Sequence, residues 1–95
     1  MSDKNFYIVA YDVSSDKRRK KLFKLLEDYG SGVQYSVFEC IITLKQFNEM
    51  KKRIMRTIKP KLDNVRFYPL CASCRKKIIT TGKKEVTAEK TVIVV

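Results

Sequence analysis

Apolar side chains crowd positions 6–13, which read Phe-Tyr-Ile-Val-Ala-Tyr-Asp-Val with a single charge near the end. A nearly unbroken apolar run of this length, with β-branched and aromatic members, predicts a buried strand over 6–12. The period then changes. Leu22, Leu25, Leu26 and Tyr29 recur at helical spacing, and Lys17, Lys20, Lys21 and Lys24 lie largely off that stripe. Ser14 or Ser15 can cap this helix, and Asp16 suits its positive end. Gly30 reads as its stop. Residues 33–43 are again β-branched and aromatic but long for one strand, so a hairpin with a tight turn near Ser36-Val37 is expected. Thr43 with Gln46 forms a capping-box pair. It opens a second helix that carries Phe47, Met50, Ile54 and Ile58 inward, with Lys51, Lys52, Arg53, Arg56 and Lys59 mostly outward. Pro60 ends it, and 65–71 read as another strand.

The order β-α-β-β-α-β predicts an α+β, ferredoxin-like sandwich, an antiparallel sheet with both helices on one face. Residues 77–81 read as a short strand, 82–90 as a polar linker, and Thr91-Val92-Ile93-Val94-Val95 as a bare apolar strand. An unpaired apolar strand is an aggregation hazard, so it is expected to extend a sheet edge, its own or that of a second copy. The division is therefore a ferredoxin-like domain over 1–81, then a linker and an extra C-terminal edge strand over 82–95 for dimer or partner pairing.

Composition narrows the partners. The 95 residues fit one domain with a limited core, so self-association is a natural source of further burial. Lys and Arg number 21 against 10 Asp and Glu, a formal net charge of +11, which points to an anionic partner and first to nucleic acid. A membrane surface ranks below it, because neither basic helix has the excess apolar face an interfacial helix needs. No secretory signal is visible and no apolar run has membrane-spanning length, so a cytoplasmic location is expected by default. Histidine is absent, which removes Ser-His, Cys-His and His-ligated zinc chemistry. Any acid–base work then falls to a carboxylate, Lys, Tyr, Cys or a metal-activated water.

The candidate chemistry centres on Asp12, where the first strand meets a loop. A carboxylate there can hold a hard cation such as Mg²⁺, which takes one or two carboxylates and keeps several waters. One Asp is too little for a firm site. Two copies near a dimer axis would suffice. The alternative is a strand-end Asp that accepts backbone N–H bonds in the turn; helix capping likewise explains Asp16 without a ligand role. The basic run Lys17, Arg18, Arg19, Lys20 and Lys21 can meet phosphates, with Arg19 favoured for a bidentate contact; the alternative is a solvated helix face. Cys71 and Cys74 form a lone C-x-x-C, which cannot complete a zinc site alone, though two pairs near a dimer axis could. A redox role needs a thioredoxin-like context that the sequence does not show, so the pair reads as reduced strand-end core cysteines. Cys40 reads as core. Tyr7, Tyr11, Tyr35 and Tyr68 fall on expected strands, where core or interface packing competes with base stacking. Ser36 can donate to a phosphate or serve a turn.

Three blocks together carry a resemblance: Tyr11-Asp12-Val13-Ser14-Ser15-Asp16-Lys17-Arg18-Arg19, then Tyr29-Gly30, then Gln34-Tyr35-Ser36-Val37-Phe38-Glu39. The chain resembles the small dimeric CRISPR-associated proteins of the adaptation machinery (the "Cas two" family), and the likeness extends through Arg66-Phe67-Tyr68-Pro69-Leu70-Cys71. It departs from the pattern at Gly32, where many relatives carry a basic residue, and in a short N-terminal extension. The resemblance implies a ferredoxin-like two-fold homodimer that partners the CRISPR integrase and holds foreign DNA during spacer acquisition. It also implies a metal-dependent endonuclease acting on RNA or double-stranded DNA. Asp12 then corresponds to the catalytic, metal-holding aspartate, with Mg²⁺ as cofactor. The resemblance also marks Tyr11, Arg19 and the Ser36-Val37-Phe38 element, and with the basic run the nucleic-acid-binding set becomes Tyr11, Lys17, Arg18, Arg19, Lys21, Ser36 and Phe38. The competing readings are a non-catalytic DNA-binding scaffold, in which Asp12 is dispensable, and a toxin-like small ribonuclease.

Overall fold

A computed structural model of the chain describes residues 3–79 and 81. The expected linker over 82–90 and the strand over 91–95 lie outside the described residues. Four strands and three helices follow in the order β1 (Asn5–Asp12), α1 (Asp16–Glu27), β2 (Gly30–Gln34), β3 (Val37–Ile42), α2 (Leu44–Thr57), β4 (Asn64–Leu70) and α3 (Ala72–Lys76). The strands form one antiparallel sheet in the order β2-β3-β1-β4, the ferredoxin-like arrangement.

Alternation along the strands divides the sheet into two faces. Tyr7, Val9 and Tyr11 of β1, with Phe38, Cys40 and Ile42 of β3, point to the side that α1 and α2 cover. They meet Leu22, Leu25, Leu26 and Tyr29 from the first helical segment and Met50 and Ile54 from the second. Tyr7 stacks on Phe47 with centroids 4.3 Å apart, and Phe47 meets Phe67 edge-on at 5.3 Å. The opposite parity belongs to the other face: Phe6, Ile8, Ala10 and Asp12, their β3 neighbours Ile41, Glu39 and Val37, and their β4 neighbours Leu70, Tyr68, Arg66 and Asn64. Neither α1 nor α2 covers that face.

Local chemistry sets the ends of the helices. The Ser15 side chain caps α1 by accepting from the Arg18 N–H at 3.3 Å. At α2, Thr43 Oγ1 accepts from the Gln46 N–H at 3.1 Å, and Gln46 Oε1 accepts from the Thr43 N–H at 2.9 Å.

Four expectations need correction. Gly30 is not a helix stop, since α1 already closes at Asp28 and Gly30 opens β2. A Cβ there would stand 2.2 Å from the Glu39 carbonyl oxygen, so a bare backbone is what lets β2 close on β3. The hairpin turn comprises Tyr35 and Ser36, one residue earlier than expected, which takes Tyr35 off the strands. Ser36 has φ 65°, in the left-handed region, and Tyr35 does not share it. No strand occupies the described part of 77–81: α3 precedes it, and Lys77 caps that helix. Finally, Cys71 and Cys74 are exposed at the start of α3, whereas Cys40 is fully buried as expected.

Candidate nucleic-acid interface and acidic site

Asp12 is the last residue of β1, exposed, paired in register with Asn64 and on the helix-free face of the sheet. Its neighbour Tyr11 faces the other way and is buried. Burial pushes the Tyr11 hydroxyl above its ordinary pKa, with Tyr35 adding and with Arg19 and a hydrogen bond to Ser36 opposing. Tyr11 therefore stays protonated near neutral pH.

The hairpin turn brings Ser36 to this end of β1, where the Tyr11 N–H donates to the Ser36 carbonyl at 3.0 Å. Arg19 reaches the same corner. It ion-pairs with Asp16, donates to the Val13 carbonyl at 3.2 Å and lies 6.0 Å from the centre of the exposed Tyr35 ring. The fold thus gathers Tyr11, Arg19 and Ser36 at the end of β1 that Asp12 closes, with Tyr11 and Asp12 on opposite faces of the sheet.

Three members of the expected nucleic-acid set are placed otherwise. The Tyr11 ring is buried in the core. Phe38 is buried against the helices, with Phe23 edge-on at 5.2 Å, so its ring belongs to the core and presents no surface for a base. Arg18 turns back to the protein. Its Nε and Nη2 donate to Asp63 at 2.7 and 2.9 Å. Asp63 is buried in the segment between α2 and β4, and it also accepts from the backbone N–H groups of Ser14 at 3.3 Å and Lys59 at 2.9 Å. The Arg18 hydrogen bonds lead in holding its carboxyl well below the usual range, with the two backbone donors assisting against desolvation. This aspartate was missed because a single Asp in a polar connection carries no period or motif. Arg53, expected outward, points between the helices, donating to Tyr29 Oη at 3.1 Å and pairing with Asp28 at 3.1 Å.

The remaining cations form a surface. Lys17, Lys20, Lys21 and Lys24 are exposed on α1, and Lys51, Lys52 and Arg56 are exposed on α2. A groove of about 540 Å³ runs between these helices, with Lys21, Lys24, Arg53 and Arg56 among its walls. The basic surface and the helix-free face are therefore opposite sides of the molecule.

Among the described residues, no group of three or more His, Cys, Asp or Glu is placed to hold a metal. Asp12 alone offers one hard oxygen donor side chain. That donor fits Mg²⁺, which takes one or two carboxylates and keeps several waters; one copy supplies the smaller of these numbers.

The family model described as CRISPR associated protein Cas2 matches residues 5–78. A Synechocystis protein named CRISPR-associated endoribonuclease Cas2 3 is 43% identical over 81 residues, covering 85% of this chain and 88% of its own. The crystal structure of Streptococcus pyogenes Cas2 at pH 6.5 superposes with a TM-score of 0.73 at 38% identity, covering 81% of this chain and 99% of that one. A chain of a partial Cas6-RT-Cas1–Cas2 complex superposes with a TM-score of 0.70 at 36% identity, covering 81% and 90%. No helix among the described residues is long and apolar enough to cross a membrane. With a family match that spans most of its length and the expected fold, this chain belongs to the CRISPR-associated Cas2 family.

Proposed function

We propose that this protein serves CRISPR spacer acquisition as a cytoplasmic homodimer that binds nucleic acid, partners the integrase and cuts phosphodiester bonds with Mg²⁺ held at Asp12. The observation that carries the reading is the place of Asp12: exposed, at the end of a buried strand, on the face that α1 and α2 leave open. That face presents Ile8, Ala10, Val37, Tyr68 and Leu70, none of them fully buried. A second copy packed there would bury this surface and bring two Asp12 carboxylates toward a common axis. Two carboxylates with waters meet the needs of Mg²⁺. When bound, the cation would stabilise charge on the scissile phosphate and lower the pKa of a water.

The chain's own residues do the rest. Arg19, held by Asp16 and the Val13 carbonyl, keeps a guanidinium beside the site for a phosphate. Lys17 and Lys21, exposed on α1, hold nucleic acid on the helix-covered side of the sheet, away from the open face. Tyr11 and Ser36 set the corner in which Arg19 sits. Its relatives' names support RNA as the substrate: the Synechocystis protein is called an endoribonuclease. The similarity to a chain of a complex with Cas1 supports an integrase partner. A non-catalytic scaffold is the second reading, favoured by the single carboxylate that each copy contributes.

The test is cleavage of single-stranded RNA and double-stranded DNA by purified protein, with Mg²⁺ and with chelator, beside Asp12→Asn. Because Asp12 is exposed, the variant should keep its circular dichroism spectrum and melting temperature. Cleavage that requires Mg²⁺ and falls at least a hundredfold in Asp12→Asn is expected. Equal cleavage by the folded variant, or none by either protein, would leave the scaffold.

A further inference from the structure

The C-x-x-C pair has no part in the reading above, and its surroundings are not those of inert core cysteines. Both thiols are exposed, and Cys71 Sγ and Cys74 Sγ are 3.2 Å apart. Cys71 Sγ also lies 3.1 Å from the Ser73 hydroxyl and accepts from the Cys74 N–H at 3.4 Å. These contacts fix the two sulfurs on the same side of the first turn of α3, close enough that a small rotation joins them. Cys40 is fully buried in the core and cannot compete.

We propose that Cys71 and Cys74 form a reversible dithiol–disulfide site that exchanges electrons with low-molecular-weight thiol–disulfide couples of the glutathione class. Cys71 is the attacking thiol. The Ser73 hydroxyl and then the Cys74 thiol stabilise its thiolate and lower its pKa to about 7 from the ordinary 9.0. The same contact with Cys71 pushes Cys74 up, which suits a thiol that acts second. An exposed thiolate of this kind is what makes a cysteine reactive.

In the first step the Cys71 thiolate attacks one sulfur of oxidised glutathione. A mixed disulfide forms at Cys71, and one glutathione leaves as its thiolate. Cys74 then loses its proton and attacks Cys71 Sγ, which closes the Cys71–Cys74 bond and expels the second glutathione. Two electrons pass from the protein to the reagent, and the two thiol protons are balanced by the two glutathione thiols released. Excess reduced glutathione runs the sequence backward. α3 lies against one end of the face that α1 and α2 leave open, where Arg75 is 5.3 Å from the centre of the Phe6 ring.

The experiment uses the full chain in buffers of graded oxidised-to-reduced glutathione ratio, quenched by alkylation and read by peptide mass. The wild type should acquire a bond between residues 71 and 74 that reduced glutathione removes. Cys74→Ser should stall as a glutathione adduct at Cys71. With a single exposed thiol left in each variant, Cys74→Ser should alkylate at pH 7 about threefold faster than Cys71→Ser. The larger thiolate fraction raises that rate, and the weaker nucleophilicity of a more acidic thiol partly offsets it. Circular dichroism checks that both variants fold. Absence of the 71–74 bond at every ratio would overturn the proposal, as would equal reactivity of the two variants. Stoichiometric zinc in the purified protein, with thiols that react only after chelation, would overturn it in favour of a metal site.

Discussion

Asp63 holds the start of α1 to the segment that follows α2. Its two oxygens take the Arg18 fork, two backbone N–H groups and the Ser14 hydroxyl, so the carboxylate gains five donors on folding that water replaces only in the unfolded chain. Its folded pKa lies below the ordinary 3.8. A depressed carboxylate contributes stability that is fully present above its unfolded pKa and is lost as pH falls through 3.8 toward the folded value. Asp63→Asn keeps the shape but removes the charge that Arg18 faces. The variant should melt lower than wild type at pH 7, and the difference should shrink between pH 5 and pH 3. Melting curves at these pH values check this; a gap that stays constant would place the acid sensitivity in other carboxylates. The same pairing explains why Arg18 and Arg19, adjacent in sequence, serve different ends. Arg18 closes on the protein, and Arg19 stays at the surface beside Tyr35.

At the scale of the elements, Gly30 shows how a correct element can hide a wrong reason. Its missing Cβ leaves room for the Glu39 carbonyl and the Cys40 sulfur, 2.2 and 2.6 Å from where that carbon would stand. Backbone on one side and a buried side chain on the other leave little slack. Gly30→Ala should therefore cost about 1–3 kcal/mol in a denaturant titration. Gly32→Ala, where a Cβ would meet only the Phe38 ring at 3.5 Å, is the matched control and should cost less. Equal costs would mean that the β2–β3 pairing adjusts freely. The amphipathic helices and the capping box were legible because each repeats a local rule several times. The hairpin was legible to within one residue, since the positive φ of Ser36 is set by strand pairing and not by its own side chain. The five residues of α3 escaped because one turn and a half is too short for a period to register. At the candidate site, Asp12, Arg19 and Ser36 could be proposed from local sequence, and Tyr11 only from the resemblance. The burial of Phe38 and the capture of Arg18 by Asp63, 45 residues away, are tertiary facts that local sequence does not contain.

Across the whole molecule, charge and apolar surface are segregated. The helix layer carries Lys17, Lys20, Lys21, Lys24, Lys51, Lys52 and Arg56, while the opposite face of the sheet presents Ile8, Ala10, Val37, Tyr68 and Leu70 beside Asp12. Two faces of such different chemistry suit two different partners, a polyanion on one and a second copy on the other. The two functions should then separate by mutation. Lys21→Ala with Lys24→Ala, on the groove between α1 and α2, should weaken duplex binding and lower the slope of log K against log salt by about 0.9 for each phosphate that is no longer neutralised. The mass in solution should not change. Ile8→Lys does the reverse. Ile8 is half-buried at the centre of β1, flanked in register by Glu39 and Tyr68, and a lysine there can reach water in a single copy but not beneath a second one. The variant should fold, run as a monomer in light scattering, and lose Mg²⁺-dependent cleavage even though Asp12 is intact, because the second carboxylate has gone. A monomeric Ile8→Lys that still cleaves would show that one Asp12 is enough; a variant that remains dimeric would move the interface off this face.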